Sequence, residues 1–290
     1  MLLATARHLF LMTPSEFTAI RDLIHRRTGI YFGEEAVERL AMRLADRLQA
    51  RNCQTFTEYY LTLRRLPESD HEFDEIIERI TTHETYFFRE RYQLAAFTDE
   101  ILPELHRRLG SSRRLRIWSA GCATGEEVYT VAMLILDHGG FAGWDIEVFG
   151  TDISRKVIAR ARQGIFGANS FREGYHGYLE RHFDRVDNGQ FRVRDNVRGL
   201  TAFGTINLVD PASVALVAAV DVIFCRNVLI YFHPESRRSL AETFFRRLHA
   251  GGYLLLGHAE SLLNVNNDFE IVSLKNDLVY RRPELDWKQP

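Results

Sequence analysis

Gly121 and Gly125 stand between the apolar run "RIWSA" and the helix-patterned "EEVYTVAML". A glycine turn that joins a strand to a helix leaves room for a nucleoside, and the neighbouring residue types narrow which one. A phosphate-cradling loop needs Gly-x4-Gly followed by Lys and Ser or Thr, whereas Glu126 and Glu127 follow Gly125. The dinucleotide fingerprint Gly-x-Gly-x-x-Gly is also missing, and two carboxylates at a helix start would repel a pyrophosphate. They favour a ligand that carries an ammonium or sulfonium. Asp152 ends the next apolar run, "DIEVFGTD", where an acid can accept hydrogen bonds from both ribose hydroxyls. The pattern asks for a ribose, no phosphate and a positive charge. S-adenosylmethionine meets all three.

The elements that must position these residues read as α/β. From about residue 113 strand and helix patterns alternate: "LRIWSA", a helix over 124–138, "DIEVFGTD", "SRKVIARAR", "VDVIFCRN", "PESRRSLAETFFRRL" and "GGYLLLG". Such alternation implies a parallel sheet covered by helices on both faces. "FEIVSLKNDLVYRR" adds a strand pair near the end. Between them, Asn188-Gly189 is a hairpin turn signal, so 182–206 reads as a small antiparallel excursion.

The first 66 residues read as all-helical. Thr13, Pro14 and Glu16 form a helix start with a capping box, Phe17, Ile20 and Ile24 repeat at helical spacing, and Gly29 stops the run. Val37, Leu40, Leu44 and Leu48 mark a second helix, and "TFTE" at 55–58 opens a third as another capping box. This segment carries ten Arg against seven acids, whereas 67–80 carries six acids and one Arg. The expected division is therefore a helical domain over 1–66, an acidic linker and helix over 67–80, and an α/β domain over 81–285.

Bulk properties limit the function classes. The chain has 290 residues, 46% hydrophobic content, 26% charge and a net charge of −2, which argues against a general nucleic-acid binder. No apolar run reaches membrane-spanning length and no signal-peptide pattern is present, so no membrane insertion and a cytoplasmic location are expected. Cys53, Cys122 and Cys225 are odd in number and far apart, which indicates neither a disulfide framework nor a metal site.

Five stretches occur in order: "TTHETYFFRE" (81–90), "WSAGCATGEEVYTVAML" (118–134), "GTDIS" (150–154), "INLVD" (206–210) and "FCRNVLIYF" (224–232). Together they resemble the CheR-type chemotaxis receptor methyltransferases, and the resemblance covers nearly the whole chain. It implies a Rossmann-like S-adenosylmethionine methyltransferase domain with a small antiparallel β insert, preceded by a small all-helical domain. It also implies methylation of glutamate side chains on the cytoplasmic helical bundle of bacterial chemoreceptors, with S-adenosylhomocysteine as by-product, by a chain expected to be a monomer. By position, it places His83, Thr85 and Arg89 on the cofactor, Gly121 in its turn, and Glu126 or Glu127 at the methionine end. Asp152 falls on the ribose, Asn207 and Leu208 beside the adenine, and Arg226, Asn227 and Tyr231 on the floor near the reacting centre. His83 departs from the small polar residue usual in the family.

A glutamate acceptor needs no general base, because its pKa of about 4.3 leaves it ionised at neutral pH. Arg89 and Tyr231 are then the expected orienting residues. Arg39, Arg43, Arg47 and Arg51 recur every four residues, as a basic ridge suited to docking an acidic helical receptor segment. The insert offers an edge to which a receptor tail could add a strand. Two other readings use the same scaffold: a methyltransferase for another protein acceptor, and a non-catalytic receptor-binding adaptor.

Overall fold

The computed structural model describes residues 11–67, 70–172 and 176–284. Residues 1–10, two positions of the acidic stretch (Glu68 and Ser69), residues 173–175 and the hydrophilic end over 285–290 lie outside them. The chain divides into two units: Met1–Thr82 with Tyr231–His233, and His83–Ile230 with Pro234–Pro290. No helix among the described residues is long and apolar enough to cross a membrane.

The first unit holds α1 (Pro14–Thr28), α2 (Val37–Ala50), α3 (Phe56–Arg65) and α4 (Glu72–Ile80). The capping box of α1 forms on both sides: Glu16 N–H donates to Thr13 Oγ1 at 3.3 Å and Thr13 N–H to Glu16 Oε2 at 2.9 Å. Gly29 ends α1 at φ 74°, a left-handed conformation that suits glycine. At α3 only half of the expected box appears. Thr55 Oγ1 accepts from Glu58 N–H, but the Glu58 carboxylate turns to the N–H of Gln54 at 2.7 Å, one residue before the cap. The acidic stretch contributes α4 to this unit, with Ile76 and Ile80 in one core with Phe17, Leu40, Leu44 and Tyr59. Burying each such isoleucine contributes about 1.5–3 kcal/mol, which ties the acidic helix firmly in place. The strap Tyr231–His233 joins the unit through an antiparallel bridge of Phe232 to Ile30.

Among its described residues the second unit contains ten strands: β1 (Arg114–Ala120), β2 (Asp145–Asp152), β3 (Ile165–Phe166), β4 (Phe183–Val186), β5 (Gln190–Val193), β6 (Thr201–Thr205), β7 (Val220–Cys225), β8 (Leu248–Leu256), β9 (Glu270–Ser273) and β10 (Leu278–Arg281). Seven of them form one sheet in the order β6-β2-β1-β7-β8-β10-β9. β6, β2, β1, β7 and β8 run parallel, and β10 runs antiparallel to both β8 and β9. The C-terminal strand pair is therefore as the sequence implies.

The insert differs from its expected bounds. Its sheet has the order β3-β5-β4, so it begins at Ile165 rather than at 182. The Asn188-Gly189 turn joins β4 to β5 with φ of 62° and 70°, the left-handed pair that a tight hairpin requires. Thr201–Thr205, expected inside the insert, is instead an edge strand of the main sheet, parallel to β2. A run as short as "TAFGT" carries no alternation that marks a buried face, so the pattern cannot choose its partner.

β1 has β2 on one side and β7 on the other. The chain leaves β1 through the helix Glu126–His138 toward β2 and comes back to β7 on the opposite side, which opens a crevice at the carboxyl ends of β1 and β7. Open α/β sheets bind ligands at such a reversal.

Candidate functional site

The turn after β1 begins the site. Gly121 N–H and Cys122 N–H both donate to the carbonyl of Thr151, at 2.7 and 2.9 Å, which joins the ends of β1 and β2. Gly121 has φ +85° and a Cβ built there would lie 2.4 Å from Val228 Cγ2, so any side chain would push the 227–230 loop away. Gly121→Ala is accordingly expected to weaken S-adenosylhomocysteine binding about tenfold or more, because left-handed strain of about 1–2 kcal/mol adds to the clash. Titration calorimetry reads this directly.

Asp152 is 9% exposed and set in place by the backbone: Oδ2 accepts from Ala123 N–H and Oδ1 from Ser154 N–H, each at 3.0 Å. An ionised carboxylate only accepts, so these backbone donors fix its orientation at the end of β2.

Glu126 and Glu127, which begin the helix after the glycine turn, are both withdrawn from the surface. Glu126 is 2% exposed and accepts from Thr124 Oγ1 at 2.6 Å and Ser170 Oγ at 3.0 Å. Burial raises its pKa, with only hydroxyl and backbone donors to offset it. Glu127 accepts from Ser119 Oγ at 2.7 Å and pairs with Arg226 at 3.2 Å. Burial raises its pKa too, against the attraction of Arg226.

Arg226, at the end of β7, is a buried junction rather than an open floor. Its side chain is 3% exposed and pairs with Glu90 and Glu127, each at 3.2 Å. It also donates to the Arg89 carbonyl. One guanidinium thus ties the 83–90 segment to the helix that starts at Glu126. Arg89 is half-buried, donates to the Glu84 carbonyl at 2.9 Å and lies 5.8 Å from the Tyr86 ring centroid. Phe87 and Phe88 are core wedges: both are buried, and Phe87 stacks on Phe171 at 5.0 Å. His83 and Thr85 are half-exposed in the same segment.

Asn207 follows β6, where its Oδ1 accepts from Val209 N–H at 3.3 Å. Leu208 is 9% exposed and borders a cavity of about 330 Å³, shared with Val214, Ser239 and Leu240. Asn227, just past β7, takes φ +60° and buries its Oδ1 without a hydrogen-bond partner. Tyr231 belongs to the helical unit, where its carbonyl accepts from Tyr31 N–H at 2.9 Å. The structure thus brings Gly121, Asp152, Glu126, Glu127, Arg89, Arg226 and Asn227 into one hydrogen-bonded region of the second unit.

Two acids in this region are absent from the sequence reading. Glu90 lies inside a quoted motif, yet nothing local marks it as the partner of a residue 136 positions away. Glu260 accepts from the N–H groups of Asn227, Val228, Ile230 and Gly257. Its "GHAES" context gives no signal of that.

The arginine ridge is also changed by its neighbours. Arg47 and Arg51 both bind the Glu72 carboxylate, which is 0% exposed, and Arg51 also pairs with Asp70. Arg43 donates to the Ile80 carbonyl, and Arg39 remains exposed. Two of the four charges are therefore neutralised inside the helical unit, by acids of α4 and the residues before it.

Residues 83–278 match the family described as "CheR methyltransferase, SAM binding domain", and residues 15–81 match "CheR methyltransferase, all-alpha domain". The chain belongs to the CheR methyltransferase family. Among its relatives, "Chemotaxis protein methyltransferase 2" of Vibrio cholerae is 34% identical over 278 residues, 94% of each chain. "Chemotaxis protein methyltransferase" of Borreliella burgdorferi is 31% identical over 88% of this chain and 91% of its own. The protein of the same name from Vibrio parahaemolyticus is 35% identical over 71% of this chain and 74% of its own.

As a CheR-family enzyme the chain uses S-adenosylmethionine, and the residues present fit it. A buried acceptor, Asn227 Oδ1, lacks a donor. A buried acid, Glu126, is met by the hydroxyls of Thr124 and Ser170 and by no cation among the described residues. A ligand with an amino group and a sulfonium supplies both needs, while Asp152 suits the ribose diol.

Proposed function

We propose that this methyltransferase esterifies glutamate side chains on acidic, helical cytoplasmic segments of chemoreceptors. The observation that carries the reading is the relation to the Vibrio cholerae chemotaxis protein methyltransferase over 94% of both chains, which spans the helical domain as well as the cofactor domain.

Bound S-adenosylmethionine supplies an electrophilic methyl group on a positively charged sulfur. The protein's part is to hold and orient. Asp152 would hold the ribose, Asn227 Oδ1 would accept from the amino group, and His83 and Thr85 would line the same side. Asn207 and Leu208 would flank the adenine. Arg89 would orient the incoming carboxylate from a distance, since a close ion pair would blunt its nucleophilicity. Tyr231 is assigned a second orienting role on the motif alone. No protein base is needed, because the acceptor is already ionised at neutral pH. Opposite charges cancel as the methyl moves, so excluding water and aligning the reacting atoms are the useful contributions. Docking is assigned to Arg39 and Arg43, since Arg47 and Arg51 already serve Glu72.

Incubation with methyl-labelled S-adenosylmethionine and a chemoreceptor cytoplasmic fragment tests the reading. The label is expected to leave as volatile methanol in mild alkali, and Arg89→Ala to slow transfer about 100-fold through misplacement of the reacting groups. Alkali-stable label on the acceptor would overturn the glutamate assignment.

A further inference from the structure

We propose that Glu260 is a positioning residue for cofactor binding: its carboxylate sets the loop Asn227–Ile230 that closes against the glycine turn. Oε2 accepts from Asn227 N–H at 2.7 Å and Gly257 N–H at 2.8 Å. Oε1 accepts from Val228 N–H at 2.8 Å and Ile230 N–H at 3.2 Å. Four backbone donors, three of them in a loop outside any strand, thus share one side chain. Without it the Asn227, Val228 and Gly257 donors would be left unmatched in a part-buried place, a cost the loop would relieve by moving.

The position this fixes is functional. Asn227 is held at φ +60° with its Oδ1 buried and unpartnered. Val228 sits where a Cβ on Gly121 would be only 2.4 Å from Cγ2. On the other side, a Cβ on Gly257 would lie 2.9 Å from the Asn227 nitrogen. The loop is therefore clamped between two glycines at the ends of β1 and β8, with Glu260 as the staple.

The charge and the two equivalent oxygens both matter. Glutamine has one acceptor oxygen, so in either orientation its amide N–H2 faces two backbone N–H donors. Glu260→Gln is expected to weaken S-adenosylhomocysteine binding about tenfold or more by calorimetry. Val279→Ala, a cavity in β10 at a position 1% exposed, serves as a stability control. It is expected to lower the melting temperature while keeping wild-type affinity. Glu260→Asp, which retains the charge but withdraws it by one methylene, is expected to fall between glutamine and wild type. Wild-type affinity in Glu260→Gln would overturn the proposal. So would an equal loss of affinity in Val279→Ala. Should the glutamine variant not fold, wild-type affinity in Glu260→Asp would overturn it on its own.

Discussion

Arg226→Met is expected to destabilise the cofactor domain by about 3–5 kcal/mol, the usual cost of removing one partner from a buried charge cluster. The side chain is 3% exposed and lies between Glu90 and Glu127, which are 12% and 15% exposed. Methionine fills similar volume, so the loss is electrostatic rather than a cavity. Both acids would remain, and burial already pushes the Glu127 carboxyl up. Urea denaturation followed by tryptophan fluorescence, to which Trp118 contributes from its fully buried place in β1, measures the loss. Adding Glu127→Gln in the Arg226→Met background is expected to recover part of it, since the second change removes the stranded charge. Arg226→Lys should restore little, because an ammonium cannot reach both acids and the Arg89 carbonyl with one planar fork. A wild-type denaturation curve for Arg226→Met would show that the cluster contributes nothing to stability.

The second large effect lies in the helical unit. Glu72 is fully buried and accepts from Arg47, Arg51 and Tyr59. Burial by itself would raise its pKa, but hydrogen bonds from Arg47, Tyr59 and Arg51 outweigh it and hold the carboxyl down to about 2. A carboxyl depressed on folding stabilises the native state above its unfolded pKa, and that stability is lost as pH falls toward the folded value. The shift from 4.5 to about 2 corresponds to about 3 kcal/mol at neutral pH. The loss should run from about pH 5 down to about pH 2. Glu72→Gln is expected to cost about 3–5 kcal/mol at pH 7 by leaving the arginines short of their acid. It should also flatten the acid dependence below pH 5. Amide hydrogen exchange in peptides covering α2 and α4 reads both effects in the intact chain. Equal acid sensitivity in the variant and the wild type would remove Glu72 from this role.

The same cluster explains why a basic ridge in sequence is not a basic ridge on the surface. A spacing of four puts Arg39, Arg43 and Arg47 along one side of α2, with Arg51 at its C-cap. What each guanidinium meets depends on α4, whose acids come from a stretch that reads locally as a linker. Charge reversal at Arg47 would therefore disrupt packing before it reported on docking. Arg39 is the position where a charge change tests the surface itself.

Features governed by contacts within a few residues were legible directly. The Thr13–Glu16 box, the Gly29 stop, the Asn188-Gly189 hairpin and the apolar stripes of α1 to α3 follow from backbone geometry and side-chain periodicity. The strand–glycine–helix turn and the acid ending β2 were legible for the same reason, and they sufficed to choose a ribose-bearing cation over a phosphate. Only the tertiary structure decided who partners whom. Arg226 with Glu90, Arg47 with Glu72, and Glu260 with the Asn227–Ile230 amides are separated by 136, 25 and 30–33 positions. A charged side chain carries no record in its spacing of whether it will face water, a ligand or a distant opposite charge. Nor does a strand of five residues record its partner, so only the structure shows that Thr201–Thr205 joins the main sheet and that the insert begins at Ile165. Local physics determined the elements and the ligand class, while long-range burial decided which charges are spent inside the fold and which remain for chemistry.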